Sequence, residues 1–122
     1  MTGNGKNSNH ARILAAFHNE MQIADQARNE NDLNLAFCHY ERAHILSQKY
    51  TFPHIRSHIG MLRIGLLRKD MREIFGQCVR MIAALVFSKL WVPLGNTGGA
   101  NVSALKPMPI PDDLKTLLKD LQ

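Results

Sequence analysis

A chain of 122 residues with 45% hydrophobic and 20% charged side chains has enough apolar mass for one packed core and too much for a disordered chain. Its formal charge is +5, but Lys and Arg are scattered and interrupted by acids, which describes a mildly basic solvated surface and argues against a nucleic-acid partner. The most apolar stretch, residues 81 to 95, contains Lys89 and Pro93 and falls short of the ~20 residues that span a bilayer. No membrane span is expected. No charged and apolar leader opens the chain, so a cytoplasmic protein is expected, with Cys38 and Cys78 as buried free thiols.

Residues 1 to 9 hold a single apolar side chain, Met1, and read as a loose tail. From His10 to Asn29, Ile13, Leu14, Phe17, Met21 and Ala24 recur on one face of a helix. Asp32 is placed to cap a second helix over 33 to 49, whose inward face carries Leu33, Ala36, Phe37, Tyr40, Ala43 and His44. Thr51 and Pro53 suit the start of a third helix, 53 to 68, with Ile55, Ile59, Leu62 and Leu66 as its inward line. Asp70 then caps a fourth, 71 to 90, where Ile74, Phe75, Cys78, Met81, Ile82, Leu85 and Val86 form the apolar face.

Asp32 and Asp70 lie 38 residues apart, each between two amphipathic helices, which hints at a repeated hairpin. Ala24, Ala36, Tyr40 and Ala43 fall at small and aromatic positions resembling a tetratricopeptide repeat, although its early aromatic and Leu-Gly pair are missing. The fold expected is therefore all-α: four antiparallel helices arranged as two TPR-like hairpins or as a four-helix bundle. An irregular Gly/Pro-rich strap over 92 to 111 follows, and Pro111, Asp112 and Asp113 open a short last helix over 112 to 121. Val92, Leu94, Val102, Leu105, Met108 and Ile110 within the strap predict that it packs on the helices. Residues 10 to 122 form one domain.

Histidine is the most informative residue type: four of six fall between 39 and 58. His44 shares the apolar line of the second helix, and His58 lies beside that of the third. Glu41 stands three before His44 and His54 four before His58, so each pair shares a helix face. Glu41, His44, His54 and His58 could thus present a carboxylate and three imidazoles to a divalent metal ion between helices two and three. Glu20 is the nearest further carboxylate, at an edge position. The alternative is a core His44 paired with Glu41, Tyr40 or a backbone carbonyl, with His58 partly exposed. Gly95, Asn96, Thr97, Gly98 and Gly99 could form an anion-binding nest or a structural loop crossing the helix ends. No nucleophile elbow, phosphate loop or metalloprotease motif occurs, and Cys38 beside His39 points away from it along a helix.

The segments YERAHILSQKYTFPHIRSHIGMLRIG and VPLGNTGGANVSALKPMPIPDDL resemble a small bacterial family catalogued as domain of unknown function 3703. The resemblance covers most of positions 33 to 114 and implies a short cytoplasmic protein whose histidine segments and Gly/Pro tail act as one unit. Two functions follow as expectations. The first is a helical interaction or scaffold module with a protein partner and without a cofactor; the absence of a complete catalytic motif weighs against an enzyme and leaves that question open. The second is a metal-binding protein. Oligomeric state stays open.

Overall fold

A computed structural model describes residues 3–87, 96–100 and 106–119. It contains α1 (Gly3–Asn29), α2 (Leu33–Ser47), α3 (Thr51–Arg68), α4 (Met71–Phe87) and α5 (Asp112–Leu118), with no strand among the described residues. The helices pack in chain order, α1 on α2, α2 on α3 and α3 on α4, and α5 returns to α1 and α2. No helix among the described residues is long and apolar enough to cross a membrane.

Two turns are built by the same local device. Asn31 and Lys69 take left-handed backbone angles, φ 64° and 55°, and release the preceding helix. The next residue, Asp32 or Asp70, then caps the following helix: Leu35 N–H donates to Asp32 Oδ1 and Glu73 N–H to Asp70 Oδ1, both at 3.1 Å. This is the physical content of the 38-residue repeat. Between α2 and α3 the cap position falls to Tyr50, whose side chain makes no capping bond, and Thr51 is the first helical residue.

The core lies between α1, α2 and the inner side of α3. Ile13, Phe17, Met21 and Ala24 meet Ala36, Tyr40, Ala43, Met61 and Ile64, and Leu114 and Leu118 of α5 close one end. Tyr40 is fully enclosed; a Cβ on Gly60 would come within 2.4 Å of its ring, so only glycine lets α3 approach here. The Tyr40 hydroxyl donates to Asp25 Oδ1 (2.5 Å) and accepts from Arg28 (2.8 Å), which satisfies it inside the core. Arg42 pairs with Glu20 at 3.0 Å and with Asp113, tying α5 to α1 and α2.

Several expectations are corrected. Residues 3 to 9 extend α1 rather than forming a loose tail; elongating an existing helix fixes one residue per hydrogen bond and needs no burial. Both cysteines are exposed. Most consequentially, α3 and α4 turn their apolar lines outward. Ile59, Leu66, Phe75, Ile82, Leu85 and Val86 are exposed, whereas His54, Ser57, His58, Glu73 and Gln77 are buried. Helical periodicity marks an apolar stripe but not the side on which a neighbour will lie. Of the strap, Val92, Leu94, Val102 and Leu105 fall outside the described residues; residues 96–100 lie on the helices, and Ile110 packs against the core.

Candidate metal centre

Two consecutive helices supply three histidines. His44 comes from the last turn of α2, and His54 and His58 from one face of the first turns of α3, four residues apart. They are 3%, 6% and 2% exposed. One ligand nitrogen from each lies within 4.8 Å of the other two. His54 Nε2 stands 2.8 Å from His44 Nε2 and 3.1 Å from His58 Nε2.

The outer nitrogens fix the hydrogens. His44 Nδ1 is 2.7 Å from the carbonyl oxygen of Asn96, which can only accept, so Nδ1–H donates and the Nε2 lone pair points inward. His58 Nδ1 is 2.6 Å from Gln77 Oε1. The Gln77 amide has one orientation, because its NH₂ donates to Glu73 Oε1 (2.6 Å) and to the carbonyl oxygen of Gly98 (2.8 Å). His58 therefore also donates through Nδ1 and aims an Nε2 lone pair inward.

Burial, the largest cause in each case, holds all three rings in the neutral form. His54 is brought down to about 4 and His58 to about 3, and His44 also lies well below its ordinary value. A neutral His54 has one N–H. On Nε2 it can serve only one of two facing lone pairs; on Nδ1 it would leave three lone pairs pointed at one another. His54 Nδ1 is itself buried with no hydrogen-bond partner. No neutral placement of hydrogens satisfies the cluster.

The segment 96–100 closes the site. Gly98 has φ 81°, and a Cβ there would lie 2.6 Å from the His44 ring, so this glycine supplies both a left-handed turn and the close cover. Asn96 Oδ1 accepts from Gly98 N–H at 2.9 Å, the Ala100 N–H faces the Glu73 carboxylate at 3.2 Å, and Arg80 donates to the Gly99 carbonyl. The amides of Gly98 and Ala100 are engaged by the protein's own groups, Asn96 and Glu73; Gly95 lies outside the described residues.

Of the four residues singled out from sequence, the structure brings together His44, His54 and His58. Glu41 is not in that group. It sits half-buried beside Thr97, where burial raises its carboxyl and the Glu73 charge adds to the rise. Glu20 is occupied elsewhere, with His39 Nδ1 at 2.6 Å and Arg42. His58 is enclosed rather than partly exposed. Glu73 and Gln77 were not singled out, although with Arg80 they form a helix-spaced polar line on α4; on an amphipathic helix such a line reads as the solvated side.

The family model described as "Protein of unknown function (DUF3703)" matches residues 11–118. The chain belongs to this family. The matched region takes in the three histidines, Gln77 and the 96–100 cover. No curated protein and no solved structure matches the chain.

Proposed function

We propose that this protein binds one divalent transition-metal ion through the Nε2 atoms of His44, His54 and His58. The observation that carries the reading is the unsatisfied hydrogen pattern: three buried neutral imidazoles converge with more lone pairs than hydrogens between them. A cation at their centre accepts all three lone pairs and moves the His54 hydrogen to Nδ1, where no described residue offers it a partner. The outer bonds from His44 to the Asn96 carbonyl and from His58 to Gln77 are of the kind that orient metal-ligating histidines. Ligand atoms around a tetrahedral ion with bonds of ~2.0–2.1 Å stand about 3.3 Å apart. The pairs at 2.8 and 3.1 Å would open slightly, and the His44–His58 pair, which lies within 4.8 Å, would close to the same spacing. Three imidazoles suit zinc, copper, iron or nickel better than calcium or magnesium.

Zinc titration of metal-free, untagged protein tests this. One equivalent should bind and raise the melting temperature, and His54→Ala and His58→Ala should each abolish the rise while keeping the helical signal. A rise of equal size in both variants would remove the histidines from the site.

A second reading, a helical interaction module, is favoured by a separate observation: the apolar lines of α3 and α4 face outward. A helix that turns its polar side to the core leaves its apolar side for something outside the fold. The two readings use opposite sides of the same hairpin and are compatible.

A further inference from the structure

Behind His58 the chain of hydrogen bonds runs on past the amide that orients it. Gln77 Oε1 accepts from His58 Nδ1–H, and Gln77 Nε2–H donates to Glu73 Oε1, both at 2.6 Å. The two Glu73 oxygens also face the Ala100 N–H at 3.2 Å. Two such bonds and one amide group put the carboxylate within roughly 7–8 Å of His58 Nδ1. Its stem is pressed against α3, where a Cβ on Gly65 would lie 3.2 Å from Glu73 Cβ and Cγ, so the buried head is held on the inner side of the hairpin. An amide oxygen could accept the same hydrogens, and burying a charge costs far more than burying an amide unless a positive charge answers it. We infer that Glu73 is the counter-charge of the metal centre, acting through Gln77, and that it sets the preference of the three histidines for a dipositive over a monopositive ion. The inference rests on reading the three imidazoles as a metal site.

The charges around the cluster show why a counter-charge is needed. Three neutral imidazoles leave the full charge of a bound ion in the interior. Burial and the neighbouring imidazoles come first in holding His44 and His58 neutral, and the positive charge of Arg80 adds to them; the same charge opposes a metal cation. Glu41 is the poorer candidate, because burial raises its carboxyl and the charge on Glu73 raises it further. Gln77 relays the charge of Glu73. A negative group at the NH₂ side of the amide makes Oε1 a stronger acceptor, which draws on His58 Nδ1–H and makes His58 Nε2 a better donor to a cation. Coulomb's law gives the signature of such a role: removing one negative charge costs a dipositive ion twice the free energy that it costs a monopositive ion at the same place. Loss of a merely orienting hydrogen bond weakens both ions in similar measure.

The test compares zinc with monopositive copper, kept reduced and free of oxygen, in the full-length, untagged Cys38→Ser/Cys78→Ser protein. Both thiols are exposed, and without them copper has no thiolate to prefer. Glu73→Gln keeps the length and an acceptor oxygen but drops the charge, whereas Glu73→Asp keeps the charge and shortens the reach. Each should retain the circular dichroism of the parent. In chelator competition Glu73→Gln should weaken zinc by about 100-fold and copper by about 10-fold, and Glu73→Asp should weaken zinc less than Glu73→Gln does. Because both metals are measured on the same protein, any general loosening of the fold by a substitution drops out of the comparison. Equal losses for the two metals, no loss for zinc, or a larger zinc loss in Glu73→Asp would overturn the inference while the metal site stands. A parent protein that binds no zinc, or whose zinc affinity survives His54→Ala unchanged, would overturn the metal site and this inference with it.

Discussion

Each histidine in the cluster owes its role to a neighbour that the sequence places far away. His58 aims Nε2 inward because Gln77 occupies Nδ1, and Gln77 can do so because Glu73 and Gly98 hold its amide. Gln77→Leu removes the acceptor while preserving bulk. Zinc affinity measured by chelator competition should fall by about 10–100-fold, the usual cost of losing an outer-shell partner. The histidines also make stability depend on pH. Their folded-state values lie below the unfolded value near 6.5, so between the two the unfolded chain binds more protons. Their contribution is complete above pH ~6.5 and is lost as pH falls towards about 4 for His54 and about 3 for His58. At pH 5 the loss is on the order of 2 kcal/mol each for His54 and His58, and urea midpoints of the metal-free protein at pH 7 and pH 5 should show it. The candidate ligands themselves were legible, because His44, His54 and His58 sit on faces of adjacent helices. Gln77 and the Asn96 carbonyl were not, because neither residue type nor spacing marks a group whose only task is to orient another across the fold.

At the scale of elements, what is local was readable and what depends on the neighbour was not. Asp32 and Asp70 announce their helices because a carboxylate at the cap position bonds amides three residues away, and the structure shows both bonds. Asp70→Ala should lower stability by about 1 kcal/mol in chemical denaturation. Phe17 and Tyr40 were correctly placed in the core, since α1 and α2 pack apolar line to apolar line. For α3 and α4 the same periodicity gave the wrong side. Their inner lines hold the histidines, Glu73 and Gln77, whose hydrogen bonds are made to one another and to residues 96–100, and no pattern within either helix encodes that exchange.

For the molecule as a whole, the 96–100 segment joins parts that are distant in sequence. It supplies the carbonyl that orients His44, the glycine that covers its ring, and acceptors for Gln77 and Arg80. Beyond it, α5 buries Leu114 and Leu118 and pairs Asp113 with Arg42. A chain ending after Leu90 loses all of these together. Burial of two leucines alone accounts for roughly 3–6 kcal/mol, a large share of the ~5–15 kcal/mol that holds a typical domain together. That shortened chain should melt without a cooperative transition and should bind zinc no more tightly than its unfolded form. The α3–α4 hairpin thus has two faces, an inner one that contributes His54 and His58 to the three-imidazole cluster and an outer one whose apolar side chains are exposed.

The most direct test of the inner face is X-ray absorption at the zinc edge on the one-to-one complex of the full-length, untagged protein. The predicted result is a first shell dominated by three imidazole nitrogens at ~2.0–2.1 Å, reduced to two on substitution of His54. A shell of oxygens alone, a sulfur scatterer at ~2.3 Å, or a spectrum unchanged by His54→Ala would contradict it.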